Sequence, residues 1–154
     1  MASSTKPAAL YILIFLMLFQ SISGLFGGVA LVFDPSGGIL GMNPGQLAKT
    51  PFSSYLLPGL ILLFLLGILP LFISFSLYAK PDWKWANISN IYKNRHWAWT
   101  YSLYIGIMLI IWIDVQVYLI GYGENLQTLY ALEGMLIVIL TLLPANMKYF
   151  TYTL

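Results

Sequence analysis

The chain has 154 residues, of which 60% are hydrophobic and 8% charged, and a formal net charge of +2. Soluble domains carry roughly a quarter charged residues, so this composition excludes an ordinary water-soluble domain and argues for lipid as the solvent. The lack of cysteine removes disulfides, thiolate catalysis and cysteine-held metals. A single histidine, His96, removes multi-histidine metal sites, and so small a net charge argues for no nucleic acid partner.

The first seven residues are small and polar and are expected to fray. Residues 8–33 then run without a formal charge. Lys6, the apolar stretch after it and Ser21-Ile22-Ser23 mimic a signal peptide. The apolar character nevertheless continues to Phe33, about 39 Å of helix at 1.5 Å per residue, so a retained first span is expected. Gln20 falls near its middle. Gly24 and Gly28 form a small-xxx-small pair, expected to serve helix packing within the chain rather than dimerisation.

Residues 34–51 form an outer loop. Asp34-Pro35-Ser36-Gly37-Gly38 reads as a turn, and Asn43-Pro44 as the cap and first residue of a short helix. The apolar Ile39, Leu40 and Met42 suggest a loop resting on the membrane surface or over the bundle mouth. Thr50-Pro51 repeats the cap signature and is expected to start a second span over 52–79, bent by Pro58 and Pro70. Residues 80–96 are an inner, polar loop. There Asp82 is expected to cap an amphipathic helix with Trp85, Ile88, Ile91 and Tyr92 on one face. Trp83, Trp85, Trp97 and Trp99 read as an interfacial aromatic belt, and Asn87-Ile88-Ser89 matches a glycosylation sequon.

A third span over 97–120 leads through a tight glycine turn at 121–125 to a fourth over 126–145. Lys148, Tyr149, Phe150 and Tyr152 anchor the end of the chain at the interface. If both termini share a side with the 80–96 loop, that side holds Lys6, Lys80, Lys84, Lys93, Arg95 and Lys148, against Lys49 alone on the other. The positive-inside rule then makes both termini cytoplasmic and the sequon silent. The expected fold is an all-α membrane protein, a single antiparallel bundle of four transmembrane helices, multi-pass in the cell membrane.

The runs GLFGGVALVFDPSGGILGM, TPFSSYLLPGLILLFLLGILPL and WIDVQVYLIGY carry a resemblance. The chain resembles a widespread group of small prokaryotic four-helix membrane proteins of unassigned activity. That group has a D-P-[SD]-G turn after its first helix, SPF-x-x-YL-[IV]-PG opening its second and W-I-x-x-[QE] in its third. The match is most specific at Pro51-Phe52, Tyr55, Pro58-Gly59 and Trp112 to Gln116. It implies the four-helix fold and no activity. Gln116 stands at the group's Gln or Glu position, whereas Asp114 replaces an aliphatic residue.

The sharpest candidate site pairs Asp114 with Glu133. Each lies about 9–10 Å from the outer end of its helix, so adjacent antiparallel helices would bring them level. No lysine or arginine lies within a span, and acids so placed avoid the ionisation cost by staying protonated. That constellation reads as a proton or cation site. In the alternative, each acid snorkels outward or hydrogen-bonds as a neutral carboxyl to Gln20, Gln116 or a backbone carbonyl. Gln116 lies two residues, about 200°, from Asp114, so the two face apart, and Gln116 is expected inward, near Gln20.

His96 is expected as a headgroup-level polar residue, and Lys84, Lys93 and Arg95 as contacts to anionic lipid headgroups on the cytoplasmic face. There is no nucleotide loop, zinc helix or nucleophile elbow. The leading functional expectation is a cofactor-free, non-enzymatic structural or accessory protein whose partner is the bilayer, acting alone, as a homo-oligomer or within a larger membrane complex. Next come a small oligomeric transporter or proton- or cation-linked channel using Asp114 and Glu133, and a lipid-modifying enzyme using the same acids. A cavity lined by Asp114, Glu133 and Gln116 separates these two from the first.

Overall fold

A computed structural model describes residues 5–123 and 125–152. The fraying expected at the start of the chain falls largely on residues 1–4, and the predicted glycine turn includes Glu124; both lie outside the described residues. The chain is helical: α1 (Ala8–Phe33), α2 (Leu56–Ala79), α3 (Trp97–Ile120), α4 (Asn125–Leu142) and α5 (Pro144–Phe150). The first four are long and apolar enough to cross a membrane.

Helix α1 starts after Pro7 and runs to Asp34, whose amide still donates to the Ala30 carbonyl at 2.9 Å. The Asp34 carboxylate then folds the chain over. It accepts from the Ser36 amide (3.1 Å) and the Ile39 amide (2.9 Å), while Gly37 takes the left-handed φ of 83° that the turn needs. The Ser36 hydroxyl and these amides hold the Asp34 carboxyl below its usual range. Asn43 caps the next turn as expected, accepting from the Gly45 amide at 2.8 Å.

Helix α2 begins four residues later than Thr50-Pro51 suggested. The Tyr55 amide is taken by the Pro35 carbonyl (2.9 Å) and the Tyr55 hydroxyl by the Asn43 carbonyl (2.9 Å), which holds residues 51–55 out of the helix. Pro58 therefore sits in the first turn, where its missing N–H costs nothing and bends nothing. Pro70 is interior, and the turn before it, Phe64–Ile68, widens to a π-helix in which the Leu69 amide reaches back to Phe64.

Two glycine seams bring backbones together. A Cβ on Gly24 would land on the Leu66 carbonyl, and one on Gly28 would lie 2.6 Å from the Leu63 Cα. From the other side, a Cβ on Gly59 would meet Leu31 at 2.6 Å. The small-residue pair thus serves α1–α2 packing inside the chain. Gly106 of α3 and Gly134 of α4 form the second seam, each placing an added Cβ 3.0 Å from the other's carbonyl oxygen. Leu13, Met17, Ile73, Ile105, Leu109 and Ile137 fill the space between.

Three further expectations need correction. The fourth long helix stops at Leu142 because Pro144 forces Leu143 into an extended conformation (ψ 136°) and opens α5 instead. Residues 80–96 form no amphipathic helix, only the 3-10 turn Lys84–Asn87. Asn90 competes for the backbone there: its Oδ1 accepts from the Tyr92 amide (3.1 Å) and its Nδ2 donates to the Arg95 carbonyl (2.9 Å). The tryptophans do not form a uniform belt either. Trp97 and Trp99 are buried, Trp97 stacks with Phe72 and Trp83, and Trp85 alone of the four is exposed.

Candidate functional site

The polar groups of the helical interior are organised by Pro70. A proline inside a helix leaves the carbonyl four residues back without its donor, here Leu66. Gln20 of α1 supplies one: its Nε2 donates to the Leu66 carbonyl at 3.1 Å. The neighbouring Ser21 hydroxyl donates to the Gly67 carbonyl at 2.8 Å. Both side chains are buried, and Gly24, one turn on, lets the backbones approach closely enough for these bonds. Gln20 is therefore a backbone partner of α2, and among the described residues no side-chain hydrogen bond joins it to Gln116. Ser21 was missed, although a Gln-Ser pair in an uncharged helix opposite a proline-interrupted one is a legible signal.

The two acids differ in environment. Glu133 is 4% exposed, and neither carboxylate oxygen has a hydrogen-bond partner. Asp114 lies on an exposed face of α3. The shared inward site expected for them is corrected: one is buried and the other looks outward. Gln116 is half-buried while Asp114 is exposed. Two surface grooves stand out, one along Tyr122, Leu126, Leu129 and Leu132 and one along Phe52, Leu56, Leu57 and Leu60. Neither is lined by Asp114, Gln116, Glu133 or Gln20.

An orphaned buried carboxyl is a stability liability of about 1–3 kcal/mol. Glu133→Leu, close in volume, is accordingly expected to raise unfolding resistance in detergent by about 1 kcal/mol or more. Denaturation in mixed micelles checks this; a loss of stability would show that the carboxyl has a partner.

A second hydroxyl network ties α3 to α4. The Trp99 indole donates to the Thr141 carbonyl (2.8 Å), the Ser102 hydroxyl to the Trp99 carbonyl (2.7 Å) and the Thr141 hydroxyl to the Ile137 carbonyl (2.7 Å). Each of these donors ends on backbone, and the Ser102 and Thr141 hydroxyl oxygens meet across the two helices at 3.2 Å.

The basic residues divide likewise. Lys84 and Lys93 are exposed, and Lys93 Nζ donates to the Asn87 carbonyl at 2.7 Å. Arg95 is half-buried with its guanidinium 4.3 Å over the Trp99 ring, so it is first a packing group and only at its tips a surface cation. Lys80 ends α2 in a left-handed conformation and donates to the Tyr149 carbonyl at 3.0 Å; burial pushes its ammonium below the usual lysine range. His96 is buried: its Nδ1 accepts from the Ala98 amide at 3.2 Å and so caps α3.

Comparison with protein-family models, with curated proteins and with solved structures finds no match. What stands is a helical chain with four segments long and apolar enough to cross a membrane, whose buried polar side chains mostly serve its own backbone.

Proposed function

We propose that the chain is a multi-pass integral membrane protein with a structural or accessory role. Its four spans alternate in direction as an antiparallel bundle, with both termini and residues 80–96 on the cytoplasmic side. The alternation is supported by the α1–α2 seam, where rising numbers on one helix (24, 28, 31) meet falling ones on the other (66, 63, 59). The orientation is supported by the six-to-one distribution of basic residues. Exposed Trp85, Ile88 and Ile91, flanked by Lys84 and Lys93, suit the headgroup layer of an anionic leaflet, with Arg95 contributing from its tips.

The observation that carries the accessory reading is the destination of the buried polar groups. Gln20, Ser21, Trp99, Ser102 and Thr141 donate to main-chain carbonyls, and the acids that a transport site would need do not converge. A second reading, a proton- or cation-linked channel, rests on Glu133 alone, because a buried, unpartnered acid in a span is a functional candidate in its own right.

One experiment separates them. Purified protein in vesicles with an internal pH dye is expected to leak protons no faster than protein-free vesicles. A proton flux that disappears in Glu133→Gln would overturn the accessory reading in favour of the channel.

A further inference from the structure

We propose that His96 is a pH-sensitive latch joining residues 80–96, the start of α3 and the C-terminal segment, closed while its imidazole is neutral. The hydrogen bonds admit one form of the ring. Nδ1 accepts from the Ala98 amide at 3.2 Å and so carries no proton. Nε2 lies 3.1 Å from the Pro81 carbonyl, which can only accept, so Nε2 carries one. The same carbonyl also accepts from the Trp97 indole at 3.0 Å. The residue's own amide donates to the Phe150 carbonyl (2.9 Å), and the Tyr152 amide donates to the Asn94 carbonyl (3.0 Å). One side chain therefore caps a span, clasps the preceding loop and sits in the clasp on the chain's end.

Protonation would place an N–H on Nδ1 facing the Ala98 N–H, two donors head to head, and break the cap. The residue is 4% exposed and its ring lies against Trp97, Phe150 and Tyr152, with centroids 5.3, 6.2 and 6.5 Å away. Burial, then the charge of Lys80, push the imidazole below its ordinary value of 6.5; the Pro81 carbonyl and Asp82 oppose them. Arg95 is the adjacent cation in sequence, and Tyr152 is the titratable group facing from the C-terminal side. Because the folded value is depressed, the latch contributes fully above 6.5 and is lost as pH falls through the folded value.

The test is amide hydrogen exchange of the full chain in nanodiscs between pH about 8 and about 4.5, corrected for intrinsic rates. Exchange at residues 96–98 is expected to rise at least about tenfold at the acid end. His96→Asn keeps an acceptor for the cap but does not titrate, so its profile is expected to be flat. His96→Ala, with neither, is expected to exchange fast at every pH. A flat wild-type profile, or an acid transition that persists in His96→Asn, would overturn the latch.

Discussion

Gly24→Ala is expected to cost about 3 kcal/mol of stability, among the largest effects of any single methyl group in this chain. The new Cβ would fall on the Leu66 carbonyl and within 2.7 Å of the Gly67 amide nitrogen, and backbone cannot rotate out of the way as a side chain can. Separating the helices to admit it also lengthens the bonds from Gln20 to the Leu66 carbonyl and from Ser21 to the Gly67 carbonyl. Gly27→Ala is the internal control. Its Cβ meets only the end of the Leu62 side chain, at 2.9 Å, and a rotamer change relieves that at about 1 kcal/mol or less. Reversible unfolding in mixed micelles measures both. Equal costs for the two would show that the α1–α2 contact is looser than described.

Gln20→Leu is expected to cost about 1–2 kcal/mol, since it abandons the Leu66 carbonyl that Pro70 has left without a donor. The sharper form is a double-mutant cycle. Pro70→Ala restores an N–H to the helix, so the cost of Gln20→Leu should shrink by about 1 kcal/mol in that background. Additive costs would mean that Gln20 is held for another reason, and its orphaned Oε1 would become the atom to explain.

The long apolar helices were legible because they rest on a property summed over twenty residues. Three of the four long helices, α1, α3 and α4, begin within a residue of where apolarity and charge place them. The errors sit where one local bond overrides a pattern. Tyr55 is captured by Pro35, which delays α2; Pro144 ends α4; Asn90 dissolves the amphipathic helix that Trp85, Ile88 and Ile91 spell out. Aromatic content was read as an interfacial belt, but Trp97 and Trp99 bring N–H groups that Pro81 and Thr141 satisfy, which lets them be buried.

The candidate site was legible only as a set of residue types. Depth along a helix brought Asp114 and Glu133 level, but sharing a site also depends on rotation about each helix axis. That rotation is set by the Gly106–Gly134 seam, and no single sequence displays which glycines meet. The rotation leaves Asp114 outward and Glu133 enclosed. Gln20 is legible as a candidate member of an intramembrane polar site with Asp114, Glu133 and Gln116. Its partner is a carbonyl exposed by a proline 50 residues away in sequence, a consequence of tertiary register.

The bilayer placement carries the most weight and has a direct test, helped by a chain with no cysteine of its own. Single cysteines at Ser89 and Ile39, both exposed, are treated in intact cells with a membrane-impermeant maleimide. The account predicts labelling at position 39 without lysis and at position 89 only after it. Labelling of both from the same side would contradict it.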